Sequence, residues 1–153
     1  MKKTMWTRWF AAILFVGGLA ACSPKDINVG SWQVIPLPQE IMETPEAAPF
    51  VINSSTVISY PEGNEKLERT AYFLASYIRE VTGTNVKVAV NGGKNTIALQ
   101  VDASVSPQKD GYELQVSADG ITVKGATEAG VFYGIQTIYK ALPITDGKTL
   151  GAV

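Results

Sequence analysis

The side chains that could carry chemistry in this chain are 14 carboxylates and one thiol, because the sequence contains no histidine. Histidine is the commonest general base and metal ligand near neutral pH. The residue that usually binds zinc or haem, and the base of a Ser-His-Asp triad, are therefore missing from this sequence. The carboxylates are scattered over turns and charged helix faces, and no Asp-Glu dipeptide occurs. This spacing does not predict a buried pair of acids with separated pKa values. We therefore predict no catalytic residue, no metal site and no cofactor.

The single thiol, Cys22, comes after a stretch that is typical of an export signal. Three basic residues precede an uncharged apolar run that ends at Ala20, which is the layout of a secretory signal peptide. The boundary Leu19-Ala20-Ala21-Cys22 resembles the lipobox of bacterial lipoproteins, in which the cysteine receives a diacylglycerol. We predict a signal peptide at 1–21 and lipid attachment at Cys22. The expected product is an exported outer-membrane lipoprotein, with the periplasmic and surface faces both open.

The composition of the remaining chain sets bounds on its fold and partners. Removal of the signal would leave 132 of the 153 residues, with 10 basic and 14 acidic side chains. This length suits one domain with a single core, and the negative balance argues against a nucleic-acid partner. We expect a polar tether at 22–31, one domain at 32–143, and a truncated linker at 144–153 that leads towards an absent catalytic barrel.

Two segments must supply the helices that position any site. Apolar residues recur every three or four positions between 67 and 81, with Asn64 as the N-cap and Gly83 as the stop. A second helix is predicted from Thr127 to about Leu142, where Pro143 ends it.

Two glycines, Gly130 and Gly134, lie one turn apart inside the second helix. Each costs about 1 kcal/mol relative to alanine in a helix. A close approach of another backbone would offset this cost, whereas the alternative is that both glycines are merely tolerated.

Short β-branched and aromatic runs at 50–52 and 56–60 predict two strands joined by the polar turn Asn53-Ser54-Ser55. Further runs alternate apolar with polar or small residues, as half-buried strands do, at 86–90, 97–101, 112–116 and 121–123. The last two predict the strongest hairpin, with a positive φ at Gly120 in its turn, and Asn91-Gly92-Gly93 predicts another turn. We expect an α+β fold in which a mainly antiparallel sheet of about six or seven strands carries two amphipathic helices on one face.

The most distinctive motif is Ala-Gly-Val-Phe-Tyr-Gly-Ile-Gln-Thr at 129–137, which comes after Gly111-Tyr112-Glu113-Leu114 and Gly120-Ile121-Thr122-Val123. Val34-Ile35-Pro36-Leu37-Pro38 opens the same region. This combination resembles the N-terminal module of bacterial β-N-acetylhexosaminidases, glycoside hydrolase family 20. The resemblance covers about residues 32–143.

The resemblance implies a non-catalytic domain. In the family a (β/α)₈ barrel comes after this module and carries an adjacent Asp-Glu pair. The glutamate protonates the leaving oxygen and the aspartate orients the substrate's acetamido group, which acts as the nucleophile, unlike the usual two-carboxylate scheme. A barrel needs at least about 200 residues, and ten residues come after Pro143. We therefore expect the chain alone to be inactive and its partner to be a family-20 barrel, in cis or from a neighbouring reading frame.

The resemblance also gives the glycine motif a role. Gly130, Phe132, Tyr133, Gly134 and Gln136 are predicted to be a domain-packing motif between the second helix, the sheet and the barrel. Helix residues that the sheet does not use would then form an exposed apolar patch.

The leading hypothesis is a lipid-anchored accessory domain of a β-N-acetylhexosaminidase that removes terminal N-acetylhexosamine from glycans, in a chain without the catalytic barrel. The alternative is a stand-alone outer-membrane lipoprotein that acts as a glycan-binding or scaffold module, with Trp32, Tyr60 and Tyr112 as residues able to stack on sugar rings. A third hypothesis places the same module before a different glycosidase.

Overall fold

The structure is a computed structural model that describes residues 29–143 and 148–153. The predicted signal peptide, Cys22 and most of the predicted tether lie outside these residues, as do residues 144–147. Neither helix of the described part has the length and apolar composition needed to cross a bilayer.

Two helices and eight strands are found in the described residues. In chain order they are β1 (Val29–Gly30), β2 (Phe50–Val51), β3 (Val57–Tyr60), α1 (Glu65–Thr82), β4 (Lys87–Val90), β5 (Thr96–Val101), β6 (Tyr112–Ser117), β7 (Gly120–Gly125), α2 (Glu128–Ala141) and β8 (Thr149–Leu150). The α+β class is confirmed. The single sheet of six or seven strands is wrong, because these strands form one sheet of five and another of three.

The five-stranded sheet has the order β4-β3-β5-β7-β6 and is mixed. β3 runs parallel to both β4 and β5, β5 runs parallel to β7, and the β6–β7 hairpin is antiparallel. The expectation of a mainly antiparallel sheet is therefore wrong. α1 connects β3 to β4, and a helical crossover of this kind joins parallel strands. Alternation of apolar residues is the same in both kinds of pairing, so the strand pattern could not distinguish them.

The loop between β4 and β5 runs across the sheet, because β3 lies between those two strands. The Asn91 amide donates to the Tyr60 carbonyl at 3.0 Å. An added Cβ at Gly92 would lie 2.7 Å from Ser59 Oγ and 2.5 Å from Thr96 Cγ2. Glycine is therefore needed here for close passage over β3, rather than for a hairpin between neighbouring strands.

Both predicted helices are confirmed with their caps. The Asn64 side chain accepts a hydrogen bond from the Leu67 amide at 3.0 Å, and Gly83 ends α1 with φ of 67°. Thr127 caps α2 through the Gly130 amide at 3.4 Å. The β6–β7 hairpin is also confirmed, although Gly120 pairs with Ser117 rather than occupying the turn, and its φ is not positive.

The main core lies between the five-stranded sheet and the two helices. α1 contacts β3, β4 and β5, while α2 contacts β5, β6 and β7, so both helices cover the same face. The core side chains from the sheet are Ile58, Ile97, Leu99, Val116, Ile121 and Val123, and those from the helices are Leu67, Ala71, Leu74, Ile78, Val131, Ile135, Ile138 and Ala141.

The three-stranded sheet brings the two ends of the described chain together. β8 is its middle strand, parallel to β1 and antiparallel to β2. Leu150 is fully buried, and the indole N–H of Trp32 donates to the Gly151 carbonyl at 3.2 Å. The Val116 amide donates a hydrogen bond to the Val153 carbonyl at 2.7 Å, and the Val153 amide donates one to the Val116 carbonyl at 3.2 Å. Residues 148–153 of the predicted linker therefore pack into the fold.

Candidate functional site

The two glycines of α2 lie on its buried face, against β6 and β7. An added Cβ at Gly130 would meet the Gly111 carbonyl oxygen and lie 3.1 Å from the Gly125 Cα. At Gly134 it would lie 2.5 Å from Val123 Cγ1 and 3.3 Å from the Tyr112 ring. The close backbone approach predicted from the glycine pair is thus present at Gly130, whereas side chains crowd Gly134. Both glycines let α2 lie close to the sheet.

Two aromatic residues of the same motif, Phe132 and Tyr133, are exposed, unlike the two glycines, which face the sheet. Phe132 is 40% exposed and Tyr133 is 49% exposed, with their ring centroids 6.4 Å apart. Phe73 of α1 is 47% exposed, and its ring centroid lies 5.8 Å from that of Phe132. Offset or tilted aromatic pairs at this separation attract one another. An aromatic contact therefore bridges the two helices on their outer side.

A second aromatic pair joins the helices, four residues further along α1 and seven residues further along α2. The rings of Tyr77 and Tyr139 stack with centroids 3.4 Å apart, and the Tyr77 hydroxyl donates to the Tyr139 carbonyl at 2.8 Å. Burial raises the pKa of the Tyr77 phenol, with smaller contributions from Tyr139 and Glu80. The hydroxyl therefore stays protonated, and able to donate, well above neutral pH.

Phe73, Tyr77, Phe132, Tyr133 and Tyr139 together form what we call the aromatic surface. Gln136 comes four residues after Phe132, so it lies on the same side of α2, and it is half-buried. The predicted motif includes Phe132 and Tyr133 of this surface but not Tyr139, Phe73 or Tyr77. Phe73 and Tyr77 are spaced four residues apart and lie outside the apolar stripe of α1. This spacing is the sequence signal that could have identified them as a second face of the helix.

The aromatic residues that the glycan-binding alternative would use are engaged inside the domain. Trp32 is buried, and the Tyr112 hydroxyl shares a 2.7 Å hydrogen bond with Thr137 Oγ1. Tyr60 is half-buried, and burial together with the neighbouring Glu68 raises the pKa of its phenol. All three rings are less exposed than those of Phe73, Phe132 and Tyr133.

The hydrogen bonds of Asp102 oppose general-acid chemistry at this carboxylate. It accepts hydrogen bonds from the Ser104 hydroxyl at 2.6 Å and from the Ser104 amide at 3.0 Å, which lower the pKa of Asp102. A general acid needs the opposite shift. Across residues 29–143 and 148–153, no three His, Cys, Asp or Glu side chains are grouped closely enough to hold a metal ion.

Comparison with known proteins gives this fold a family. Residues 31–153 match glycosyl hydrolase family 20, domain 2. The chain is 27% identical over 141 residues to a β-hexosaminidase of Porphyromonas gingivalis, which covers 87% of this chain and 18% of that protein. It is 34% identical over 83 residues to a lacto-N-biosidase of Bifidobacterium bifidum, which covers 52% of this chain and 7% of that protein.

A solved structure agrees with the sequence matches. The family 20 β-N-acetylhexosaminidase of Streptomyces coelicolor A3(2) superposes with a TM-score of 0.63 and 27% identity, over 78% of this chain and 24% of that one. The chain therefore spans less than a quarter of the length of each of these relatives. Because the match to the family covers most of its residues, the chain belongs to glycosyl hydrolase family 20 and contains the domain 2 of that family.

Proposed function

We propose that this chain is the accessory domain of a β-N-acetylhexosaminidase and that its aromatic surface docks on the catalytic barrel. The observation that carries the proposal is the exposure of three aromatic rings on the outer side of the two helices. The large aromatic ring of Phe132 packs beside that of Phe73 on one side and that of Tyr133 on the other. Contiguous apolar surface of this kind is typical of protein interfaces, where aromatic residues supply much of the binding energy.

The motif on α2 connects this surface to the rest of the domain. Gly130 and Gly134 bring the helix close to the sheet, while Phe132 and Tyr133 are turned outwards by the same helical geometry. The two glycines therefore set the distance between α2 and the sheet, and with it the position of the aromatic rings. In this proposal the reaction of the assembled enzyme is the removal of terminal N-acetylhexosamine from glycans, and the barrel performs the chemistry.

Cleavage between the two domains tests the docking. A fusion would carry the catalytic domain of the P. gingivalis relative after Val153, joined by a linker with a protease site. We expect the two pieces to stay associated after the linker is cut. The Phe73→Ser, Phe132→Ser double variant should raise their dissociation constant at least about 30-fold, because aromatic residues at interface centres contribute about 2 kcal/mol or more.

The matched control for this test is the Val90→Ser, Val101→Ser double variant. These valines are 41% and 42% exposed but lie on strands away from the aromatic surface. Their replacement should change the dissociation constant less than about twofold. Separation of the wild-type pieces, or equal behaviour of the two double variants, would show that the aromatic surface is not the docking site.

The proposal also includes a lipid anchor at Cys22, supported by the lipobox-like stretch before it. More than one acyl chain holds a protein stably on a membrane. We expect the protein from expressing bacteria to enter the detergent phase in Triton X-114 partitioning. Cys22→Ser should move it to the aqueous phase, while the control Ser31→Ala should not. Detergent-phase partitioning of Cys22→Ser would contradict lipidation at this residue.

A further inference from the structure

A second exposed apolar surface lies on the loop between β1 and β2, apart from the aromatic surface. Ile35 is 85% exposed, Leu37 65% and Met42 73%. With the half-buried Ile41, Ile35 and Leu37 line a shallow depression of about 640 Å³. We call residues 35–43 the apolar loop. Three large apolar side chains this exposed within residues 35–42 are not needed by the fold itself.

The apolar loop is held firmly at both ends. Trp32 and Val34 before it are buried in the core. After it, the Thr44 amide donates to the Ala152 carbonyl at 3.0 Å. Its exposed side chains therefore stand on a fixed support, which lowers the entropy that binding a partner would cost.

The charge around the apolar loop limits the partner. Glu40, Glu43 and Glu46 are exposed within or beside it, and the sequence contains no lysine or arginine from 29 to 65. An anionic bilayer surface would repel this region. A second copy of the chain would place the same carboxylates opposite one another across a two-fold axis. A complementary partner carries an apolar pocket with a basic rim.

The position of the loop in the fold points to one such partner. Thr44, directly after the loop, is hydrogen-bonded to Ala152, beyond which a catalytic domain would continue the chain in the proposed enzyme. We propose, resting on that proposed function, that the apolar loop is a second docking element, which inserts Ile35, Leu37 and Met42 into an apolar, basic-rimmed pocket of the catalytic domain. The loop and the aromatic surface then fix the orientation of the two domains together.

Met42 offers a direct probe, because the only other methionines are Met1 and Met5 in the predicted signal. Oxidation of Met42 by hydrogen peroxide would be monitored by peptide mass spectrometry in the present chain and in the fusion with the catalytic domain. We expect fast oxidation in the chain alone and oxidation slowed at least about tenfold in the fusion, since burial protects a thioether.

Leu37→Ser with Met42→Ser should raise the dissociation constant after linker cleavage at least about tenfold, and the Val90→Ser, Val101→Ser control should not.

The outcomes separate this inference from the proposed function. Unprotected Met42 in a fusion whose pieces still associate through Phe73 and Phe132 would overturn the inference and leave the docking of the aromatic surface standing. Pieces that fall apart in the wild type would overturn both. Protection of Met42 in the isolated chain by vesicles of phosphatidylethanolamine and phosphatidylglycerol would assign the loop to a membrane. Protection that appears when the protein concentration is raised would assign it to a second copy of the chain. Either result would also overturn the inference.

Discussion

Replacement of Leu150 by alanine should lower the free energy of unfolding by about 3 kcal/mol. Leu150 is fully buried in the middle strand of the three-stranded sheet, paired with Gly30 on one side and Phe50 on the other. Leucine-to-alanine replacements at such positions cost about 2–5 kcal/mol through lost burial and a residual cavity. That is a large part of the roughly 5–15 kcal/mol that holds a typical domain together. Urea unfolding monitored by circular dichroism measures the change.

A chemically identical replacement elsewhere is the control. Leu37→Ala removes the same atoms from a side chain that is 65% exposed, so the isolated chain should lose less than about 0.5 kcal/mol. If Leu150→Ala cost no more than Leu37→Ala, the 148–153 segment would not belong to the core and the three-stranded sheet would be wrong.

Gly130→Ala should destabilise the domain by about 2 kcal/mol, although alanine is the better helix former. The helix propensity gain is about 1 kcal/mol. Against it, the new methyl group would meet the Gly111 carbonyl oxygen and the Gly125 Cα. These are backbone atoms of the β6–β7 region that cannot rotate away, and overpacking of this kind costs about 3 kcal/mol. The difference is measurable by chemical denaturation.

Two other glycines calibrate this result. Gly134→Ala should cost less, because the atoms it meets belong to the Val123 and Tyr112 side chains, which can shift. Gly93→Ala adds a methyl group to open space and should change stability by less than about 0.5 kcal/mol. A Gly130→Ala variant more stable than the wild type would refute the close approach of α2 to the sheet.

The helices and one hairpin could be predicted from the sequence because their signals are local. Asn64, Gly83 and Thr127 act through hydrogen bonds or backbone angles within one turn of the helix they end. The β6–β7 hairpin joins strands that are adjacent in the chain. Patterns within a window of roughly 11–18 residues were therefore sufficient for these elements.

The pairing of the other strands could not be predicted because it depends on distant contacts. β1 and β8 are only two residues long and pair across most of the chain, so neither has a period to detect. The Asn91-Gly92-Gly93 signal correctly indicated a break between two strands but did not reveal that β3 lies between them. Parallel and antiparallel neighbours require the same alternation of apolar residues.

The candidate docking surface was predictable on one helix only. The motif that contains Phe132 and Tyr133 identified α2, whereas Phe73 became part of the surface through its contact with Phe132 across the helix pair. The apolar loop begins within Val34-Ile35-Pro36-Leu37-Pro38, which opens the region of family resemblance, and the structure places no strand between β1 and β2. Its exposed side chains could be recognised only once their burial was known.

Our proposal that this domain is a non-catalytic accessory domain is tested most directly by an assay of purified residues 22–153 on a chromogenic N-acetylglucosaminide. We expect release of the chromophore at the rate of the buffer alone at every protein concentration. Hydrolysis that rises in proportion to the protein, and that disappears when the domain is unfolded by Leu150→Ala in urea, would contradict the proposal.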